Sequence, residues 1–358
     1  MTVLRTTTDL TTLLIHDNLT LKEAMAAIDS GGIGIVLLVD HAGRLIRTIT
    51  DGDLRRAILA GHGITARLAV SVNLAGVSSV TAPATASTDE QMQIMLKAEV
   101  RHLPLLNSDG TVFGISCLQA TPGESLEVQA VIMAGGFGTR LRPLTDHTPK
   151  PMLSVGGKPL MQRTIENLQK AGVQNISVTT HFMPEIIRQH FGEGRRFGVA
   201  LNYVAEEQPQ GTAGALRMLT ATDEPLLVMN GDILTNIDFR KLVRFHKERK
   251  ASLTVAVRQF EMQVPYGVIE ARDGVVSELR EKPQLMFLVN AGIYLLEPRV
   301  LRHIPAEGRY DMTDLISCLI QNGEPVVGFP VMEYWLDIGR HDDFQKAQED
   351  VESVRWAA

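Results

Sequence analysis

The apolar run Val128 to Met133 stops abruptly on a glycine loop that also carries cations, Ala134-Gly135-Gly136-Phe137-Gly138-Thr139-Arg140-Leu141-Arg142-Pro143, with Lys150-Pro151 a short way on. A strand that ends this way suits an open α/β sheet, in which ligands sit beyond the carboxyl ends of the strands. Glycines let successive backbone amides approach an anion with no Cβ in the way. Arg140 adds a planar fork and Lys150 a mobile point charge, so the combination suits a nucleoside triphosphate. Two familiar phosphate loops fail on spacing. Leu141 stands where a dinucleotide loop counted from Gly136 needs its third glycine, and no Gly-Lys-Ser/Thr closes a P-loop.

The alternation of strands and helices continues from there, which points to an α/β fold with a largely parallel core. Pro159 opens a helix at a position where its missing amide costs nothing, and Gly172 is placed to end it. Asn175 to Thr180, Leu201 to Val204 and Leu226 to Asn230 read as further strands, followed by a helix from Asp238 to about Lys250. Ala251 to Val257, Val268 to Glu270, Val275 to Leu279 and Phe287 to Leu296 read as a second strand-rich region that would cover a second substrate. Two acids interrupt apolar segments: Asp232, in Met-Asn-Gly231-Asp, and Asp337, in Tyr-Trp-Leu-Asp-Ile-Gly. Paired carboxylates of this kind suit a Mg²⁺ ion that keeps several waters.

The first third holds a weak repeat, displaced by roughly 67 residues, in the order helix, strand, glycine turn, strand. Thr20 to Glu23 and Thr88 to Gln91 read as capping boxes. The strands are Ile35 to Val39 and Leu45 to Ile49 in the first copy, Leu103 to Leu106 and Val112 to Ile115 in the second, with turns at Gly43 and Gly110. The breaker cluster Thr121 to Ser125 marks a boundary. The expected division is therefore residues 1–59, 60–122 and 126–355.

Composition narrows the partners. With 44% hydrophobic residues the chain can bury two cores, and a net charge of −6 argues against a general nucleic-acid or anionic-membrane surface. No apolar run is long enough to cross a bilayer and the first residues lack a signal-peptide layout, so a cytoplasmic protein is expected. Two cysteines, Cys117 and Cys318, supply neither a disulfide framework nor a Cys-x-x-Cys metal site.

The string from Gly135 to Thr145 followed by Lys150-Pro151 resembles the signature of the sugar-1-phosphate nucleotidyltransferases at every fixed position. The repeat resembles a pair of CBS domains. Together the resemblances imply a Rossmann-like, mixed-sheet domain of the GT-A-like kind behind a tandem CBS module. They imply Arg140, Lys150, Asp232, Lys282 and Asp337 as catalytic residues, with Asp232 and Asp337 sharing the metal. Ala134, Gly135, Gly136, Gly138, Thr139, Gly211, Thr212 and Gly231 would hold the nucleotide, with Glu206, Glu207 and Gln208 as base readers. Gly267, Glu281, Lys282, Asn290 and Gly292 would hold the sugar phosphate. In the CBS pair Thr50 and Asp53 match the adenosine-ligand segment, although the same residues read equally as a helix N-terminus. The second copy has Ser116 and no aspartate, so the module is either a nucleotide sensor or a dimerisation unit, and a homodimer or larger homo-oligomer is expected. The CBS fusion and the strings around Asn236, Val268, Tyr294 and Arg340 look like the guanylyltransferases acting on glucosamine 1-phosphate in legionaminic acid pathways. Mannose-1-phosphate guanylyltransferases share most of these strings, and guanine itself follows only from the resemblance.

Overall fold

The computed structural model describes residues 2–72, 79–120, 125–220 and 222–353; of the boundary cluster expected at Thr121 to Ser125, residues 121–124 lie outside them. Contacts divide the chain into two compact units. One joins residues 1–124 to 261–287, and the other joins residues 125–260 to 288–358.

The larger unit is built on a seven-stranded sheet. In spatial order its strands are Ala200–Ala205, Asn175–Thr180, Gln129–Met133, Leu226–Asn230, Gln284–Leu296, Leu253–Gln263 and Val326–Pro330. The first four run parallel, and Gln284–Leu296 is antiparallel to Leu226–Asn230. Both faces are covered, so the central strands are apolar on both sides. Ala130, Ile132, Leu227 and Met229 enter one core, with Met161, Ile165 and Leu168 of the helix Leu160–Lys170. Val131, Leu226 and Val228 enter the other, against Met312, Leu315 and Leu319 of the helix Met312–Gln321. Each such leucine contributes about 1.5–3 kcal/mol by leaving water. The segments beginning at Ala251 and Phe287 do not form a separate strand-rich region. They extend the main sheet, because their alternate residues are apolar enough to be buried on both faces, and only Val268–Arg272 and Val275–Arg280 form a ribbon of their own.

The smaller unit shows the repeat in its register. Ile35–Val39 pairs antiparallel with Leu45–Thr50, and His102–Leu106 pairs antiparallel with Val112–Ala120. Each pairing has a bulge at the equivalent place, between Leu38 and Val39 and between Leu105 and Leu106. Leu13, Ile35, Leu37, Ile115 and Cys117 form one cluster that joins the copies. The first helix is capped by Thr20 with Glu23. The second is capped by Ser87 with Glu90, one residue earlier than the Thr88 to Gln91 box expected. Its Gln91 is buried instead, donating to Ala86 O at 2.8 Å and accepting from Ser116 Oγ at 2.6 Å. The copies also diverge after their last strand. Leu45–Thr50 enters a helix, whereas Val112–Ala120 runs on to pair with Thr2–Thr7. Among the described residues no helix is long and apolar enough to cross a membrane.

Candidate active site

Three carboxyl-end segments of the larger unit converge on a cavity of about 410 Å³ lined by Gly135, Gly136, Lys150, Thr212, Gly231 and Asp232, among others. That volume is within the range of small-molecule sites. Gly231 N donates to Met133 O at 2.9 Å, which holds the turn bearing Asp232 beside the glycine loop. The loop folds back over Lys150. Gly138 has φ +62°, and a Cβ there would lie 2.9 Å from Thr145 Cγ2 and 3.2 Å from Lys150 Cβ, so a side chain would push the lysine stem away. Thr145 Oγ1 donates to Gly138 O at 2.8 Å and fixes this fold.

Lys150 is 8% exposed and its Nζ donates to Asp232 Oδ2. Asp232 Oδ1 is buried with no hydrogen-bond partner. Asp337 is not among the residues that line the cavity, but strand pairing brings it beside Asp232. Ile233–Thr235 runs antiparallel to Trp335–Asp337 with Ile233 opposite Asp337, and Ile338 N donates to Asp232 O at 3.1 Å. Trp335 Nε1 donates to Ala291 O at 2.9 Å and ties this short strand to the main sheet. Leu141, Leu234 and Ile338 share one buried cluster, so the leucine of the glycine loop anchors both acidic segments. Arg140 is exposed, with its guanidinium over Gly339: a Cβ there would lie 3.6 Å from Nη1.

The Asp337 carboxyl is held above its ordinary pKa. Loss of hydration is the first cause and the neighbouring Asp232 charge the second, while Lys150 and Arg140 pull it down. Two acids in mutual repulsion, one with an orphaned buried oxygen, fit a divalent cation. Among the described residues no group of three or more His, Cys, Asp or Glu could form an all-protein cage. Two carboxylates completed by waters and phosphate oxygens is the pattern Mg²⁺ favours.

The expected base readers come only in part to the cavity. Of Glu206, Glu207 and Gln208, the structure brings Glu206 alone to the cavity. Its Oε2 accepts from Gln210 N at 3.0 Å, and its Oε1 lies 2.8 Å from where a Cβ on Gly135 would stand. Arg309 and Asp311, like Thr179 and Asn230, also line the cavity although no sequence pattern pointed to them. Asp311 Oδ1 accepts from Thr212 N at 3.0 Å, and Met312 N donates to Thr212 Oγ1 at 2.8 Å. The available signal was the Asp311 to Asp314 capping box, which marks a helix start and not a site.

The remaining residues fall in two places. Ala134 and Thr139 lie on the glycine loop, and Asn290 and Gly292 lie on the strand beside Asn230. A Cβ on Gly292 would be 2.7 Å from Asn230 Nδ2, and Asn290 Oδ1 accepts from Gly292 N at 2.9 Å. Gly267, Glu281 and Lys282 belong to the smaller unit, on the ribbon that leaves the main sheet. There a Cβ on Gly267 would stand 2.9 Å from Glu281 Oε2. Lys282 takes φ +44° although proline follows it, a conformation that costs of order 1–3 kcal/mol and concentrates at functional positions.

Thr50 and Asp53 form a complete capping box. Thr50 N and Oγ1 donate to Asp53 Oδ2 at 2.8 and 2.6 Å, and Asp53 Oδ1 pairs with Arg56 at 2.6 Å and Arg47 at 3.5 Å. A separate cavity of about 460 Å³ in the same unit is lined by Pro83, Thr85, Glu90 and Lys97, and by neither Thr50 nor Asp53.

The chain belongs to the nucleotidyl transferase family: residues 129–354 match the nucleotidyl transferase model, and residues 7–60 match the CBS domain model. The CBS match lies ahead of the nucleotidyl transferase match in the chain. The chain is 33% identical over 226 residues to the mannose-1-phosphate guanylyltransferase catalytic subunit beta of Xenopus tropicalis, covering 61% of this chain and 62% of that protein. It is 32% identical over 234 residues to the mannose-1-phosphate guanylyltransferase of Mycobacterium tuberculosis, covering 63% and 65%. The chain thus spans less than two thirds of the length of these relatives. The fold is similar to a solved putative glucose-1-phosphate thymidylyltransferase from Bacillus anthracis, with TM-score 0.53 and 25% identity over 64% of this chain and 98% of that one.

Proposed function

We propose that the chain transfers a guanylyl group from GTP to a hexose 1-phosphate, releasing pyrophosphate and forming a GDP-sugar. The observation that carries this is the Lys150, Asp232 and Asp337 cluster beside the glycine loop. In this reading a phosphate oxygen of the sugar 1-phosphate attacks the α-phosphorus in line, and the bond to the β-phosphate breaks. The nucleophile is already anionic, so position and countercharge are the protein's contribution. Amides of Gly135, Gly136 and Gly138 would cradle the triphosphate, with Ala134, Thr139, Gly211, Thr212 and Gly231 bounding the nucleoside. Arg140 and Lys150 would neutralise the donor phosphates. Asp232 and Asp337 would hold Mg²⁺, which when bound offsets the charge of both reactants. Lys282 would grip the acceptor phosphate, with Gly267, Glu281, Asn290 and Gly292 around the sugar.

Guanine is supported by Glu206. A carboxylate at the cavity can accept from both N1–H and the exocyclic N2–H of guanine, a donor pair that no other common base presents on that edge. Mannose 1-phosphate is favoured as acceptor by the names of the relatives, and glucosamine 1-phosphate is the second reading, supported by the CBS fusion. For the front module, pairing two chains is the favoured role, because Thr50 and Asp53 are already engaged with each other and an adenine nucleotide would have to compete.

The test is pyrophosphate release by purified protein with Mg²⁺, each nucleoside triphosphate in turn, and mannose 1-phosphate or glucosamine 1-phosphate. GTP should be fastest with one of the two sugars. No release with any pair would refute the assignment. Adding AMP or ATP addresses the module, and an unchanged rate and melting temperature would favour dimerisation.

A further inference from the structure

The ribbon that carries Gly267, Glu281 and Lys282 packs into one compact unit with the CBS module. Its returning strand places Met286 on the Gly63 turn, where a Cβ at residue 63 would lie 2.9 Å from Met286 Sδ and 3.6 Å from its Cε. That turn is firmly held. His62 N donates to Ala57 O at 3.1 Å, at the end of the helix that Thr50 and Asp53 cap. Ala66 N donates to Gly63 O at 2.9 Å, and Lys22 N donates to Ile64 O at 2.8 Å, which ties the turn to the first helix as well. The ribbon's base is closed by Val264 N donating to Pro283 O at 3.0 Å, the residue next to the strained Lys282.

We propose that Met286 seated on Gly63 is a positioning residue for the acceptor ribbon, so that the CBS module sets the affinity for the sugar phosphate and not for the nucleotide. A two-stranded ribbon is marginal alone and takes its pose from what it packs against. Here the partner is a turn hydrogen-bonded to two capped helices, which Met286 touches while 43% exposed, and strain of the kind seen at Lys282 persists where the surroundings hold it. Glycine at residue 63 admits the thioether closely, and methionine adapts its shape to the turn. This rests on the reading of Lys282 as the acceptor-phosphate ligand.

The experiment uses the full chain with Met286→Ala, Met286→Leu, Gly63→Val and Lys282→Ala. In Met286→Ala and Gly63→Val, KM for the sugar 1-phosphate should rise about fivefold or more, within the usual range of coupling between sites. KM for GTP should stay within about twofold, and Met286→Leu should restore the acceptor KM, since that swap conserves volume. Hydrogen exchange should quicken at residues 264–283 in Met286→Ala. Unchanged exchange there, or equal changes in both KM values, overturns the proposal. A raised acceptor KM in Lys282→Ala with none in Met286→Ala overturns the positioning role alone. An unchanged acceptor KM in Lys282→Ala overturns the acceptor reading and the proposal with it.

Discussion

Lys150 and Asp232 form an ion pair that uses one oxygen of the aspartate, and the other oxygen is buried with no partner. An unsatisfied buried carboxylate oxygen is costly unless something arrives to claim it. With Asp337 held on the adjacent short strand, the arrangement has the character of a half-built cation site.

Asp232→Asn keeps the volume and removes the charge. Its kcat should fall by roughly 10²-fold or more, the scale of losing one pre-organised stabiliser. Pyrophosphate release measured across a Mg²⁺ titration checks this, and a near-normal rate at ordinary Mg²⁺ would remove Asp232 from the chemistry.

Glu206→Gln replaces two acceptors by one acceptor and one donor, which mismatches guanine and suits the N3–H and carbonyl edge of uracil. The ratio of kcat/KM for GTP to that for UTP should fall by about 10-fold or more, the discrimination carried by a buried polar pair. Competition between the two triphosphates gives the ratio directly, and an unchanged ratio means another group reads the base.

Gly211→Ala and Gly136→Ala should separate architecture from binding. Gly211 has φ +81° and a Cβ there would meet Tyr310 O at 2.6 Å, so alanine should cost about 1–3 kcal/mol in strain alone and lower Tm. Gly136 has nothing within 4 Å, so its alanine should leave Tm unchanged and weaken only the triphosphate. Thermal melts with and without GTP distinguish the pair, and equal Tm losses would contradict this division.

His246 gives a pH dependence of stability. It is 1% exposed between Thr254 Oγ1 at 2.7 Å and Glu297 Oε1 at 3.1 Å. Burial holds its pKa below the ordinary 6.5, with the Glu297 hydrogen bond opposing. The folded state therefore binds fewer protons than the unfolded state between the two values, so this contribution is full above pH 6.5 and is lost as pH falls toward the lowered pKa. Urea unfolding from about pH 5 to pH 8 should show that loss, and His246→Gln should flatten it. An identical slope in both proteins would assign it elsewhere.

Much of this was legible in local patterns. Pro159 and Gly172 bracket the helix they were expected to bracket, because proline and glycine act through their own backbone. The repeat was legible because its turns and apolar alternation recur together. The cap at Ser87 was misplaced by one residue, since two overlapping Ser/Thr-x-x-Glu/Gln strings both fit. What decided between them was Ser116, distant in sequence, which takes Gln91 as a partner. The segments at Ala251 and Phe287 join the main sheet and not the second strand-rich region expected of them for a similar reason, as no local feature states which sheet an apolar strand will join.

Sequence alone determined the elements and the chemistry of the glycine loop, since strand period, turn residues and the charge of Arg140 and Lys150 are properties of short segments. Only the tertiary structure decided that Asp337 comes beside Asp232 through the pairing of two short strands, and that Glu206 and not its neighbours reaches the cavity. Those outcomes depend on contacts between residues far apart in the chain, where packing and hydrogen-bond competition select one partner among several that local sequence permits.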